Sequence, residues 1–182
     1  ASSHRRKLVI SDAVFSMDGD VADIRALVAL CERYDALLML DDAHGFGICG
    51  PQGRGSLAAA GLTGANASPR VLYMGTLSKS AGVAGGFVAG SNTLIEWLLQ
   101  RTRSYTFATA APGMLARALQ QSLSAMEEGD HLRSQLQARI AQLRAGLAPV
   151  LAITGWQLLP SNSPIQALVI GDNSKALQLM EA

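Results

Sequence analysis

The sequence predicts an α/β protein: a layer built on a mostly parallel sheet, followed by the start of a small α+β domain. Short apolar runs alternate with helical or loop stretches up to residue 90, the order from which parallel sheets are built. Polar and glycine-rich clusters close three of those runs. After about residue 150 the pattern becomes strand, turn, strand, helix. The expected division is residues 1–128 for the first domain and 129–182 for a linking helix and a partial second domain.

Each element has a local reason. Leu8 to Val14 is short, apolar and rich in β-branched residues, so a buried strand. Asp20 offers an N-cap, with Asp23 in the first turn of the helix that follows. Ile24, Leu27, Val28, Cys31 and Tyr34 then recur at helical spacing and make one apolar face. Ala36 to Leu40 is continuously apolar and ends in Asp41 and Asp42, the pattern of a parallel strand buried on both faces. Gly45 to Gly64 reads as loop with at most a short helix. Arg70 to Met74 and Gly86 to Gly90 read as strands. Ser91 caps a helix through Leu94, Ile95, Leu98 and Leu99. Pro112 suits a helix start, and Leu115, Leu119, Leu123 and Met126 continue at helical spacing. Leu132, Leu136, Ile140, Leu143 and Leu147 form a further stripe that Pro149 is expected to end. Ile153 to Leu159 and Ile165 to Ile170 read as strands around the turn cluster 160–164, and Asp172 or Asn173 starts a last helix.

Composition narrows the function. Fifteen Lys and Arg stand against 14 Asp and Glu, a net charge of +1, which gives no electrostatic footprint for nucleic acid. Apolar residues make up 49%, enough for a real core, yet no apolar run approaches the roughly 20 residues of a membrane span. Two cysteines, Cys31 and Cys49, are too few for a disulfide scaffold, and a reducing, cytoplasmic setting is expected. The first residues lack the pattern of a signal peptide. The chain enters directly into a strand and closes on the opening of a helix, so it reads as a fragment of a longer chain.

The clusters at the strand ends are Ser16-Met-Asp-Gly-Asp20, Asp41-Asp-Ala-His44 and Gly75-Thr-Leu-Ser-Lys79. Ligands of open α/β sheets bind at the carboxyl ends of strands, so one shared site is expected. Residues 45–50 match G-x-G-x-x-G, but Pro51 follows where a helix should open, and two aspartates precede it where a pyrophosphate would sit. A nicotinamide-binding module is thus the weaker alternative. The phosphate-loop spacing around Lys79 fails, since no glycine directly precedes the lysine. His4, His44 and His131 lie far apart without ligand spacing, so no metal is expected. No G-x-S-x-G elbow places a serine nucleophile. Taken alone, Asp41 reads as a turn cap and Lys79 as a surface lysine. Together they match the needs of pyridoxal 5'-phosphate: a lysine for a Schiff base, and a carboxylate that keeps the pyridine nitrogen protonated.

Read together, Val14-Phe-Ser-Met-Asp-Gly-Asp20, Asp41-Asp-Ala-His-Gly-Phe-Gly47, Gly53-Arg-Gly55 and Gly75-Thr-Leu-Ser-Lys-Ser-Ala-Gly82 closely resemble the α-oxoamine synthases, fold-type I enzymes dependent on pyridoxal phosphate. The resemblance runs over nearly the whole chain. It implies the large domain of that fold, and an acyltransferase that condenses an amino acid with an acyl thioester, carried on coenzyme A or a carrier protein, with loss of CO₂. It implies that Lys79 is the Schiff-base lysine, that Asp41 pairs with the pyridine nitrogen, and that His44 lies at the cofactor's 3-hydroxyl. Ser16 would lie beside the cofactor and Thr76 at its phosphate. Thr109 would reach the phosphate of the neighbouring subunit in a homodimer, and Ala110 stands where the family often has serine. Family members differ in the amino acid used; Asp18-Gly-Asp20 and Asp42-Ala-His-Gly45 favour the alanine-using branch over the glycine- and serine-using ones. The alternative of another class is a non-catalytic scaffold or partner subunit, against which the presence of Lys79 argues.

Overall fold

The computed structural model describes residues 4–181. The chain forms two compact units, Ala1–Val14 with Ala22–Asp130, and Phe15–Val21 with His131–Ala182. The segment Phe15–Val21, which the sequence expectation left in the first domain, groups with the second unit.

The first unit is built on a four-stranded sheet in the order β1 (Leu8–Asp12), β2 (Leu37–Asp41), β3 (Val71–Thr76), β4 (Gly86–Ala89). The first three strands are parallel, and β4 runs antiparallel to β3. In register, Asp12 lies opposite Asp41, and Asp41 opposite Met74. Helix α1 (Ile24–Arg33) turns its Ile24, Val28 and Cys31 inward onto Leu38, Leu40, Ala36 and Val71, which form the buried core. Strand β2 is buried more on one side than expected: Leu38 and Leu40 are fully buried, while Leu37 and Met39 on its other face are only partly so.

The cap of α1 is Asp23, not Asp20. Its carboxylate accepts the N–H of Ala26 at 3.0 Å. Asp20 is too early, because its carbonyl closes a turn with the N–H of Phe15 and the next residues are still extended, with Ala22 bonding back to Ala13. Between β2 and β3 lie only short helical pieces, a 3-10 turn at Pro51–Gly53, α2 (Ser56–Ala59) and a 3-10 turn at Gly64–Asn66. Beyond β4 come α3 (Asn92–Arg101), α4 (Arg103–Thr106) and α5 (Gly113–Glu127), which starts after Pro112. Ser91 occupies the N-cap position of α3 without a side-chain cap bond.

Helix α6 (Asp130–Thr154) runs through Pro149, contrary to the expected stop. Proline forfeits one backbone bond there, but the last turn still closes, with Gly155 bonding to Leu151 and the Thr154 hydroxyl to the carbonyl of Val150. The expected strand from Ile153 shrinks accordingly to β5 (Gln157–Leu158), which pairs antiparallel with β6 (Leu168–Val169). The turn cluster between them is held by Gln166, whose amide donates to the carbonyls of Ser161 and Ser163, and by Arg144, which donates to the carbonyl of Leu159 and to Gln166. Helix α7 (Asn173–Glu181) is capped by Asp172, which accepts the N–H of Lys175 at 2.8 Å. Among the described residues no helix is long and apolar enough to cross a membrane.

Candidate active site

Strands β2 and β3 are parallel neighbours, so the loops that leave their carboxyl ends emerge on the same side of the sheet. Asp41 ends β2, half-buried, and its Oδ1 accepts the N–H of Ala43 at 2.9 Å. This is the turn in which an aspartate bonds its own backbone two residues on. A carboxylate has about four acceptor sites, so one such bond leaves capacity for a ligand. His44 follows in the same loop and is half-buried.

Thr76 ends β3. Its hydroxyl lies 2.8 Å from that of Ser78, accepts the N–H of Ser78, and reaches the carbonyl of Gly85 at 3.3 Å. Lys79 is exposed at the tip of the loop that follows. That loop is closed by backbone bonds from Leu77 to Gly85, Val83 to Leu77 and Gly82 to Lys79. The Ser122 hydroxyl of α5 ties it down by donating to the carbonyl of Ala81 at 2.7 Å.

The two loops meet. The ring of Phe46 packs edge-on against Phe87 of β4 at 4.9 Å. A Cβ on Gly75 would come within 2.9 Å of that Phe87 ring, and one on Gly47 within 2.6 Å of the Ser80 side chain, the residue after Lys79. The structure therefore brings Asp41, His44, Thr76 and Lys79 to one end of one sheet. Ser16 belongs to the second unit, in a turn whose Gly19 carbonyl accepts the Ser161 hydroxyl at 2.7 Å. Thr109 lies in an exposed stretch between α4 and α5. A groove of about 550 Å³ on the first unit is lined by apolar residues such as Phe87, Ile95, Leu98 and Tyr105, and by none of the predicted site residues.

One role is not legible in the sequence, where Asp42 is part of a motif and a charge unfavourable to a pyrophosphate but has no assigned partner. Asp42 is fully buried. Its Oδ2 accepts the backbone N–H of Ser56 at 2.7 Å and the hydroxyl of Tyr73 at 2.6 Å, and its Oδ1 accepts the Ser56 hydroxyl at 2.6 Å. Burial pushes its carboxyl above the usual carboxylate range, against the pull of those three donors, with Asp41 adding a smaller push. Burial and the Asp42 charge likewise raise the Tyr73 phenol far enough that it remains a donor. The signal was present in Gly45 and Gly55, the glycines of the apparent dinucleotide motif and of Gly53-Arg-Gly55. A Cβ on Gly45 would collide with Asp42 and Ser56, and one on Gly55 with Tyr73 and Asp42. These glycines let the loop wrap a buried carboxylate, not a phosphate. Among the described residues no group of three or more His, Cys, Asp or Glu is placed to hold a metal ion.

A synthase from Delftia acidovorans (strain DSM 14801 / SPH-1), named 8-amino-7-oxononanoate synthase, is 74% identical over all of this chain, which spans 45% of that protein. A serine palmitoyltransferase variant from S. paucimobilis, solved with PLP and myriocin bound, superposes with a TM-score of 0.83 at 29% identity, over 97% of this chain and 44% of that one. An 8-amino-7-oxononanoate synthase from Francisella tularensis superposes with a TM-score of 0.77 at 25% identity, over 96% of this chain and 50% of that one. This chain thus spans about half the length or less of the proteins it matches. The pattern of the class I and II aminotransferases matches residues 1–182, so the chain belongs to that family.

Proposed function

We propose that the chain is the cofactor-bearing section of an 8-amino-7-oxononanoate synthase, a step of biotin biosynthesis. The observation that carries this reading is the gathering of Asp41, His44, Thr76 and Lys79 at one sheet end, in a chain 74% identical to a protein of that name. The reaction joins Cα of L-alanine to the thioester carbonyl of a pimeloyl group on coenzyme A or a carrier protein. The thiol leaves, the alanine carboxylate departs as CO₂, and an amino ketone remains.

The donor set fits pyridoxal phosphate. The half-buried Asp41 offers an anionic acceptor for a protonated pyridine nitrogen, and the hydroxyls of Thr76 and Ser78, 2.8 Å apart, would offer donors to a phosphate. Lys79, exposed on a braced loop, presents an amine for an aldehyde. When bound, the cofactor supplies an electron sink for a carbanion at Cα. Lys79 would take the proton from that atom as the neutral amine and return it as the ammonium so formed. His44 would orient the ring through its 3-hydroxyl, and Ser16 would lie beside it. In a homodimer Thr109 would donate to the partner's phosphate site. An amino acid and an acyl group on coenzyme A or a carrier protein are water-soluble substrates, which suits a cytoplasmic setting with no membrane or nucleic-acid partner.

Borohydride trapping tests this directly. The chain is incubated with pyridoxal phosphate, reduced, digested and mapped by mass spectrometry, with the full-length Delftia acidovorans relative run alongside. Selective label on Lys79, lost in Lys79→Ala, is expected. Label scattered over Lys7 and Lys175 here, with the matching lysine of the full-length relative silent as well, would overturn the assignment.

A further inference from the structure

Among the described residues three polar side chains are buried, Asp42, Ser56 and Ser163, and the first two are bonded to each other. Asp42 grips both ends of one loop. Its backbone carbonyl accepts the N–H groups of Gly45 (3.1 Å) and Phe46 (2.8 Å) where the loop begins. Its carboxylate holds the N–H and hydroxyl of Ser56 where the loop ends and α2 begins. The same residue is anchored to β3 twice, by its own N–H to the carbonyl of Met74 (2.8 Å) and by the Tyr73 hydroxyl. Inside the loop, Gly47 bonds to Gly53 and Gly55 to Cys49. The segment is therefore an Ω-type loop, its ends drawn together around a carboxylate.

His44 rides on the start of this loop, and Asp41 is the residue just before the grip. We propose that Asp42 is a positioning residue: with Ser56 and Tyr73 it clamps the neck of the loop and so sets where His44 stands over the end of the sheet. The function of that placement rests on the reading above, in which His44 meets the cofactor; the clamp itself does not. A neutral amide fits the same geometry. An asparagine at 42 can turn its oxygen to Ser56 N–H and Tyr73, and its NH₂ to the Ser56 hydroxyl, which then accepts. Alanine supplies neither.

The test uses the chain in three variants, Asp42→Ala, Asp42→Asn and Tyr73→Phe, with two readouts that need no cofactor. Amide exchange is followed at Ser56, Gly55 and Gly47, and at Leu38 and Leu40 of the core as reference. The ring resonances of His44 are followed by NMR. In Asp42→Ala, protection of the loop amides should fall at least tenfold relative to the core (about 1.4 kcal/mol), and the His44 signals should move. Asp42→Asn should recover most of both. Should the alanine variant fail to fold, Tyr73→Phe keeps the test, with a loss of about threefold expected at Ser56 and a smaller shift at His44. Loop protection unchanged, or lost equally in loop and core, overturns the proposal; so do His44 signals that stay put while the loop loosens. Trapping is scored separately: silence at Lys79 and also at the matching lysine of the full-length relative would sink the cofactor reading and leave the clamp to be judged on exchange and the His44 signals.

Discussion

Replacing Gly55 by alanine should destabilise the first unit far more than the same change at Gly82. Gly55 has φ 90° and ψ −177°, a region that costs a residue with a Cβ about 1–3 kcal/mol. Its Cβ would also stand 2.5 Å from Asp42 Oδ2 and collide with the Tyr73 hydroxyl. Relieving that collision breaks at least one hydrogen bond to the carboxylate, worth roughly 1.5–3 kcal/mol. The sum is about 2.5–6 kcal/mol. Gly82 also has a positive φ, +63°, but nothing lies within 4 Å of its Cβ position, so only the backbone term applies, about 1–2 kcal/mol. The assay is urea unfolding read at Cys31, a residue 2% exposed in the core of this unit, by pulse alkylation and peptide mass spectrometry. A difference of about 2 kcal/mol moves the midpoint by roughly 1 M when the urea slope is about 2 kcal/mol/M. Equal midpoints for the two variants would refute the reasoning, since only Gly55 combines a strained backbone with a Cβ that meets the Asp42 and Tyr73 side chains.

Two other outcomes follow from the same geometry. Burial holds the Asp42 carboxyl above its ordinary value of 3.8, so the folded chain binds that proton more tightly than the unfolded chain. The stabilising contribution is full below pH 3.8 and is lost as pH rises through the higher folded value. Asp42→Asn cannot ionise, so its stability relative to the unaltered chain should increase with pH across that window; a flat or falling difference would show that the three donors outweigh burial. Asp23→Ala removes the α1 cap and should lower stability by about 1 kcal/mol, measured by the same Cys31 assay, with Asp20→Ala expected to match the unaltered chain.

The four strands of the first sheet, the first helix and the lysine loop were legible because their signals are local. Period, apolar runs and turn chemistry act over a few residues, and Leu37 to Leu40, Ile24 to Cys31 and the cluster from Gly75 to Lys79 carry theirs in one stretch. Asp41, His44, Thr76 and Lys79 could be named from residue type and motif order. Where neighbours compete, sequence alone was less decisive. Asp20 and Asp23 are equal as cap residues until the turn from Phe15 to Asp20 removes the first. Pro149 stops a helix in isolation, but here the chain accepts one lost backbone bond and the helix continues to Thr154.

Only the tertiary structure decided the role of Asp42. Its partners lie 14 and 31 residues away in the chain, so no local pattern ties them to it, and two aspartates in a row look like a polar loop. Folding β3 beside β2 brings Tyr73 to that carboxylate, and bending the loop at Gly45 and Gly55 brings Ser56. The sequence by itself determined which residues could do chemistry at the end of this sheet. The long-range hydrogen bonds, made only once water is excluded from around Asp42, decided how the loop that carries one of them is held.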